Sequence, residues 1–567
     1  MSEISKGLAN GLTNYGDPEF AKYLRRSFAK SMGYTNESLD KPIVGICYTE
    51  SSFNNCHRHF PEMLEAVKRG VLVSGALPMP FPMISLGEVF LSPTSMVYRN
   101  LMAMAVEEMI RAQPMDAVVL MGGCDKTVPA LLMGAVSAGK PAVMLVAGPM
   151  MTGRYKGERL GACTDCRRFW AQYRAGSVSQ EEIDQIEGNL AVTSGTCAVM
   201  GTASSMAVIA ETLGVMLPNT ASIPAVHADR LRASEETGTV AAKMAIQGGP
   251  KLDQLITKES VENALRVLLS VSGSTNAIIH LTAIAGRAGV EVDLKRFNEL
   301  SDETPVLVDL KPVGTGYMED FHSAGGLDGV LRALASQLNL QTLDVTGQSL
   351  EQRLQEDSSK QADQSVIRDI QNPVDAKGGL IALHGTLAPG GAILKRAAAT
   401  PALLEHEGRA VVFSSLEDLA ARIDSPDLDV EAEDILVLQN AGPRSPSGMP
   451  EAGYLPIPKK LAKAGVKDMV RISDARMSGT AFGTIVLHVT PEADLGGPLA
   501  LVQNGDRIRL SASAKTIDLL VTPEELEHRR STLLPSSTPP ARGYQKLYHD
   551  TILPAPKGCD FDFLLPN

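Results

Sequence analysis

The chain has 567 residues, 44% of them hydrophobic and 21% charged, with 53 basic residues against 65 acidic ones and a net charge of −12. That is ordinary globular material, enough for roughly two to four domains with sizeable buried cores. The acidic balance argues against nucleic acid and anionic membrane surfaces as partners, because both are held mainly by a surplus of Lys and Arg.

The opening MSEISKGLANGLTNYGD has no apolar run behind its lysine and does not read as a secretory leader. The longest apolar tract, ALLMGAVSAGKPAVMLVAGPMM, is broken at Lys140 and Pro141, short of the ~20 apolar residues a membrane helix needs. It reads as helix, turn and buried strand. A cytoplasmic setting is expected, in which the seven cysteines stay reduced.

From about Lys41 to Pro312, short apolar runs alternate with helix-period segments. PIVGICYT, DAVVLMGG, PAVMLVAG and PVLVDLKP read as strands, while FPEMLEAVKRGVL and SPTSMVYRNLMAMAVEEMIRA read as helices. Such alternation predicts an α/β domain, a parallel sheet flanked by helices. In open sheets of this kind ligands sit beyond the carboxyl ends of the strands, and Cys124 lies just past one.

The polar stretch QEDSSKQADQSVIRDIQNP then leads into a second domain, with a boundary near Asn372, giving domains 1–371 and 372–567. The second is rich in short strands, with an Asn-Gly turn in ALVQNGDRIRLSASAKTIDLLVT, and reads as β-barrel-like. The tail from Pro535 onward reads as an extended arm.

Among the cysteines, Cys56 in SFNNCHRHF, Cys124 in GGCDKT and Cys197 in SGTCAVMGTASS sit in loop-like contexts, where functional ligands gather. An isolated cysteine is ordinarily a small buried hydrophobe, and spacing alone does not join these three. By spacing, the CxxC pair Cys163 and Cys166 in GACTDCRR is the first choice of ligands, although a single CxxC is a weak signal.

Several motifs together resemble the dihydroxy-acid and phosphogluconate dehydratase family. They are GGCDKTVPALLMGA, GACTDCRRFWAQYRAG, GTCAVMGTASSMAVIAETLGVMLP, GSTNAIIHLTAIAGR, NAGPRSPSGMPE and SDARMSGTAFGTIVLHVTPEA, and the likeness runs from about Gly16 to Pro535. GTASSMA and ISLGEVF resemble its sugar-acid branch, which dehydrates aldonates such as arabinonate and xylonate.

The resemblance implies an iron-sulfur cluster, of the 2Fe-2S type in the sugar-acid branch, held by Cys56, Cys124 and Cys197 and not by the CxxC pair. Clusters used for electron transfer are usually closed by four ligands, whereas three leave one iron open to a substrate hydroxyl. The resemblance also implies magnesium on Glu88, Asp125 and Glu451, with Lys126 carbamylated into a further oxygen ligand. An unmodified ammonium would be repelled by the cation. Ser478 is implied as the base that removes the C2 proton, with Thr480 and Arg476 as substrate or support groups. Nearby metal charge must lower the serine's pKa for that role.

The implied product is a 2-keto-3-deoxy acid, formed without redox change on a small-molecule substrate by a homodimer or homotetramer. Tyr48 and Asn55 stand where the family has asparagine and proline, and Ser445 and Ser447 where glycine and proline are usual. A bulky Tyr48 would favour a short acid such as glycerate. Two other readings are a branched-chain dihydroxy-acid dehydratase and a non-catalytic iron-sulfur sensor.

Overall fold

The computed structural model describes residues 6–12, 15–356, 362–534 and 538–566. The first domain carries β1 (Ile43–Tyr48), β2 (Leu77–Pro82), β3 (Ala117–Gly122) and β4 (Ala142–Val146) in a parallel sheet of order β2-β1-β3-β4. β3 and β4 are buried along their whole length, as a parallel sheet covered on both faces requires. The helices Phe60–Val73, Ser95–Ala112 and Thr127–Ala138 form where the sequence shows helical period.

The sequence pattern differs from this sheet in two places. β2, LPMPFP, carries Pro78, Pro80 and Pro82, which argue against a strand. Proline lacks the ladder N–H, but β2 pairs only with β1, and residues two apart along a strand present their N–H positions to the same edge. PVLVDLKP, expected as a further strand, makes only isolated bridges, from Val306 to Asp375, Val308 to Ile367 and Leu310 to Gly316. Its apolar side chains are buried all the same, so the pattern reported burial and not membership of the sheet.

A small hairpin of β5 (Gly153–Tyr155) and β6 (Glu158–Leu160) follows. The polar stretch begins in the helix Leu350–Glu356, and residues 357–361 of it lie outside the described residues. Beyond them the chain still hydrogen-bonds to the first domain, with Arg368 N donating to Leu307 O and Val374 N to Val306 O.

The second domain is an eight-stranded sheet made of β7 (Ile381–Leu383), β8 (Gly391–Leu394), β9 (Glu405–Phe413), β10 (Ile435–Leu438), β11 (Arg471–Ser473), β12 (Ile485–Thr490), β13 (Arg507–Ser511) and β14 (Thr516–Leu519). Its order is β14-β13-β9-β10-β11-β12-β8-β7. His384, just past β7, bridges to Thr516 of β14, so the sheet nearly closes on itself as a barrel-like body. Ile381, Leu383, Val437, Ile472, Val486 and Ile517 pack together on one of its faces.

The tail does not run out as an extended arm. Beyond residues 535–537, which lie outside the described set, it forms the helix Gly543–Thr551 and packs onto the first domain. Arg99, fully buried, donates to the carbonyls of Gly558 (2.8 Å) and Cys559 (2.6 Å). Arg287 forms an ion pair with Asp560 in which neither side chain reaches solvent, Nη2 to Oδ1 3.0 Å. The hydrophobic tail residues Tyr548 and Phe561 cover Val97. Among the described residues no helix is long and apolar enough to cross a membrane.

Candidate active site

The three loop cysteines, far apart in sequence, converge beyond the carboxyl end of the parallel sheet. Cys124 follows β3 directly, and Cys56 lies in the short turn Asn55–His57 after β1. Neutral His57 fastens these two loops together. Its Nδ1 lies 2.7 Å from the Thr49 carbonyl and donates to it, so Nε2 is free to accept from Gly123 N (2.9 Å) and Cys124 N (3.0 Å). Burial pushes the His57 pKa down to about 3, which keeps that tautomer uncharged. Gly123 has to be glycine, because a Cβ there would stand 2.3 Å from Ala147 Cβ.

Cys197 enters from a loop anchored on both sides: Met150 N donates to Thr196 O, and Met318 N to Ala198 O. The sulfurs are close enough to act on one another. The Cys124 sulfur and burial hold the Cys56 thiol well above its usual pKa, and Cys163 and burial do the same to Cys197. Cys163, half of the CxxC pair, stands 3.1 Å from Cys197 Sγ to Sγ, whereas Cys166 is exposed.

Beside the thiols lies a knot of charge. Lys126, with no solvent exposure, forms ion pairs with Asp125, with Glu88 at 3.3 Å and with Glu451 at 3.7 Å. Arg476, equally buried, spans Glu451 (2.7 Å) and Glu88 (2.9 Å) and also donates to Thr94 Oγ1 (2.6 Å). Glu88 accepts further bonds from Thr94 Oγ1 (2.8 Å), Ser95 N (3.2 Å) and Ser95 Oγ, at the start of the helix Ser95–Ala112. Burial alone would raise its pKa, but Arg476, Lys126 and these hydroxyls hold it well below the carboxylate range. For Lys126, burial and Arg476 work against the charge and the three carboxylates outweigh them, so the amine is held as an ammonium.

The second domain brings Ser478 and Thr480 to the same place. Their hydroxyl oxygens are 2.8 Å apart, the Thr480 carbonyl accepts from Thr164 Oγ1 (2.9 Å), and the Thr480 methyl abuts Gly201, four residues past Cys197. The structure thus gathers Cys56, Cys124, Cys197, Glu88, Asp125, Lys126, Glu451, Ser478 and Thr480 in one buried to half-buried region between the domains. The sequence reading did not single out His57 or the Thr94–Ser95 hydroxyls. The position of His57 beside Cys56, and a Thr-Ser pair opening a helix, were the available signals. Tyr48 is half-buried at the edge of the first-domain core, its carbonyl accepting from Met83 N.

The loop that carries Glu451 is held by two buried acids. Asp474 accepts from Ala441 N (3.0 Å) and Ala493 N (2.9 Å), and Glu492 accepts from Arg444 N (3.1 Å). Ser445 and Ser447, the departures from glycine and proline, hydrogen-bond to each other (2.9 Å), and Ser445 also donates to Gly442 O (2.8 Å) to close the turn. At Gly442 a Cβ would stand 2.2 Å from Glu492 Oε2.

Burial, with the neighbouring Asp474 charge, raises Glu492 to about 8, and burial raises Asp474 to about 6. Both groups hold protons in the folded chain that the unfolded chain releases. Their stabilisation is complete below the unfolded carboxylate range and is lost as pH rises toward 8. We expect the melting temperature to fall between pH 5 and pH 8.5. Glu492→Gln, neutral throughout, should melt about 2 °C or more above the parent at pH 8.5 and level with it at pH 5. Equal melting curves at both pH values would refute this.

Among the described residues no three His, Cys, Asp or Glu side chains stand ready around one point as metal ligands, since the Lys126 ammonium and Arg476 occupy the space among the carboxylates. The donor types nonetheless fit the implied groups. Crowded thiols suit a soft iron-sulfur cluster, and the adjoining carboxylates suit a hard divalent cation.

Comparison with known proteins identifies the family. Residues 41–353 match the dihydroxy-acid/6-phosphogluconate dehydratase N-terminal family model and residues 365–559 its C-terminal counterpart. The chain is 45% identical to an L-arabonate dehydratase of Azospirillum brasilense, over 97% of this chain and 96% of that one. It is 43% identical to a 6-deoxy-6-sulfo-D-gluconate dehydratase of Pseudomonas putida (93% and 91% covered) and 42% identical to an L-arabinonate dehydratase of Rhizobium leguminosarum bv. trifolii (97% and 95%). With both family models matched in order and relatives aligned over nearly their whole length, the chain belongs to the dihydroxy-acid/6-phosphogluconate dehydratase family and is a hydro-lyase.

Proposed function

We propose that this enzyme dehydrates an aldonic sugar acid across C2 and C3 to a 2-keto-3-deoxy acid. The observation that carries the reading is the meeting of three sets of groups in one interdomain site: the thiols of Cys56, Cys124 and Cys197, the carboxylates of Glu88, Asp125 and Glu451 around Lys126, and the paired hydroxyls of Ser478 and Thr480. The names of the three relatives, each a sugar-acid dehydratase, favour aldonates over branched-chain acids as substrates.

In this reading Cys56, Cys124 and Cys197 would hold a 2Fe-2S cluster, and Glu88, Asp125, Glu451 and a carbamylated Lys126 would hold Mg2+. Once bound, these groups would supply Lewis acidity for loss of the C3 hydroxyl and acidification of the C2 proton. The protein's own part is positioning and proton transfer. Ser478 Oγ takes the C2 proton, and Thr480 Oγ1, 2.8 Å away, donates to that oxygen while it is negative. Arg476 fixes the Glu88 and Glu451 carboxylates relative to one another. Lys126 can add carbon dioxide only as a neutral amine, so carbamylation needs the carboxylate charge around it to be taken up elsewhere.

The test is keto-acid release, read as semicarbazide absorbance, from L-arabinonate, D-xylonate, D-gluconate, D-galactonate, D-glycerate and 2,3-dihydroxyisovalerate, with anaerobically reconstituted enzyme and magnesium. We expect turnover of C5 or C6 aldonates, and its loss in Cys124→Ser. Turnover confined to 2,3-dihydroxyisovalerate would replace this reading with the branched-chain one. No turnover at all by protein carrying iron, sulfide and magnesium would favour the sensor.

A further inference from the structure

The CxxC motif is left without a role by the chemistry above, yet one of its sulfurs lies in the site. Cys163 and Cys197 are both unpaired thiols, 3.1 Å apart Sγ to Sγ, and both are partly reachable from solvent. A disulfide has an S–S length of about 2.05 Å, so the two sulfurs need to close by only about 1 Å.

This proximity is held in place from both sides. Cys163 has φ +75°, a backbone conformation that non-glycine residues rarely adopt, and it caps the helix Thr164–Ala175. The turn that imposes it is pinned by Asp165, 1% exposed, which accepts from Gly161 N (2.7 Å), the Tyr317 hydroxyl (3.0 Å) and Lys311 Nζ (3.1 Å). On the other side, the Cys197 loop is tied to Gly148, Met150 and Met318 through backbone bonds of Thr196 and Ala198. Two thiols fixed at this distance have a high effective concentration for one another.

We infer that Cys163 and Cys197 form a reversible disulfide whenever Cys197 is free of a cluster, with a hydroperoxide as the oxidant. Peroxide oxidises one thiol to a sulfenic acid and is itself reduced to water. The second thiol then displaces a second water from the sulfenic sulfur, so two thiols and one hydrogen peroxide give one disulfide and two waters. The bond holds Cys197 at a reversible step of the oxidation ladder, short of sulfinic acid, and it has to be reduced before the thiol can serve as a ligand. The bond itself does not depend on the dehydratase reading. Its consequence for cluster insertion does.

The experiment compares the cluster-loaded full chain with the same protein after chelation, each exposed to hydrogen peroxide, alkylated, digested and mapped by mass spectrometry. In the chelated protein we expect two of the seven thiols to disappear, a Cys163–Cys197 linked peptide, and full recovery with a dithiol reductant. Cys166→Ser should keep the link. Cys163→Ser should abolish it and carry Cys197 to the sulfinic acid. A link elsewhere, such as Cys56–Cys124 or Cys163–Cys166, or no link at all, overturns the proposal. We further expect the linked protein to take up no cluster iron until reduced. A linked protein that takes up its full iron would keep the disulfide and remove Cys197 from the ligand set.

Discussion

Ser478→Ala should lower kcat on the best aldonate by about a hundredfold to ten-thousandfold, the range that a positioned general base contributes, while leaving the visible spectrum of the cluster unchanged. The substitution removes one oxygen from a buried residue, bonded chiefly to Thr480, so little else should respond. Thr480→Val, which keeps the shape and removes the partner hydroxyl, should cost less, roughly tenfold, because water can replace a donor more readily than a base. The decisive measurement is kcat beside iron content for each variant. If Ser478→Ala loses activity only in proportion to lost iron, the serine is holding the site together and is not the base. Full activity in Ser478→Ala would remove it from the chemistry altogether.

The second large effect concerns Arg476. Its guanidinium is wholly buried and spans carboxylates from two domains, Glu88 from the first and Glu451 from the second. Removing one partner of a buried ionic network typically costs about 3–5 kcal/mol, and here three carboxylates would be left with the Lys126 ammonium alone. Arg476→Met, similar in bulk, should therefore destabilise the chelated protein by that order in denaturant titrations. Arg476→Lys should fall between, since an ammonium keeps the charge but cannot present a planar fork to two carboxylates and Thr94 at once. An Arg476→Met chain that unfolds together with the parent would show that the bridge adds nothing to domain docking. Magnesium should narrow the gap between variant and parent, because a divalent cation among the same carboxylates would take over part of the compensation.

Much of this molecule was legible in its residues, and the exceptions have physical causes. IVGICY, AVVLMG and AVMLV announced themselves as strands because buried parallel strands are apolar on both faces. LPMPFP did not, since proline's missing donor is harmless only at an edge, and edge position is a property of the sheet. PVLVDLKP carried the right pattern without the ladder, because burial against a domain surface selects the same side chains. In the site, spacing favoured Cys163 and Cys166, a helix-start pair of which one faces solvent. The thiols that converge, Cys56, Cys124 and Cys197, are separated by long stretches of chain, and only the known family's motifs connected them. The roles proposed for the site residues rest on that likeness together with the geometry. The His57 bracket was hidden for a different reason: its work is done through backbone N–H groups, which no side-chain pattern reports.

The docking of the tail has a consequence for how the protein is made. Arg99 and Arg287 sit in the interior of the first domain, yet several of their partners come from the tail: the carbonyls of Gly558 and Cys559 and the carboxylate of Asp560. A nascent first domain can collapse around its sheet long before those residues leave the ribosome, but Arg99 then lacks two carbonyl acceptors and keeps Asn100, and Arg287 lacks the Asp560 carboxylate and keeps Glu107 and Ser137. A chain that stops short of Gly558 keeps that defect for good, although every thiol and carboxylate of the site has been synthesised. Arg99 and Arg287 thus tie part of the first domain's stability to the residues of the chain that are made last.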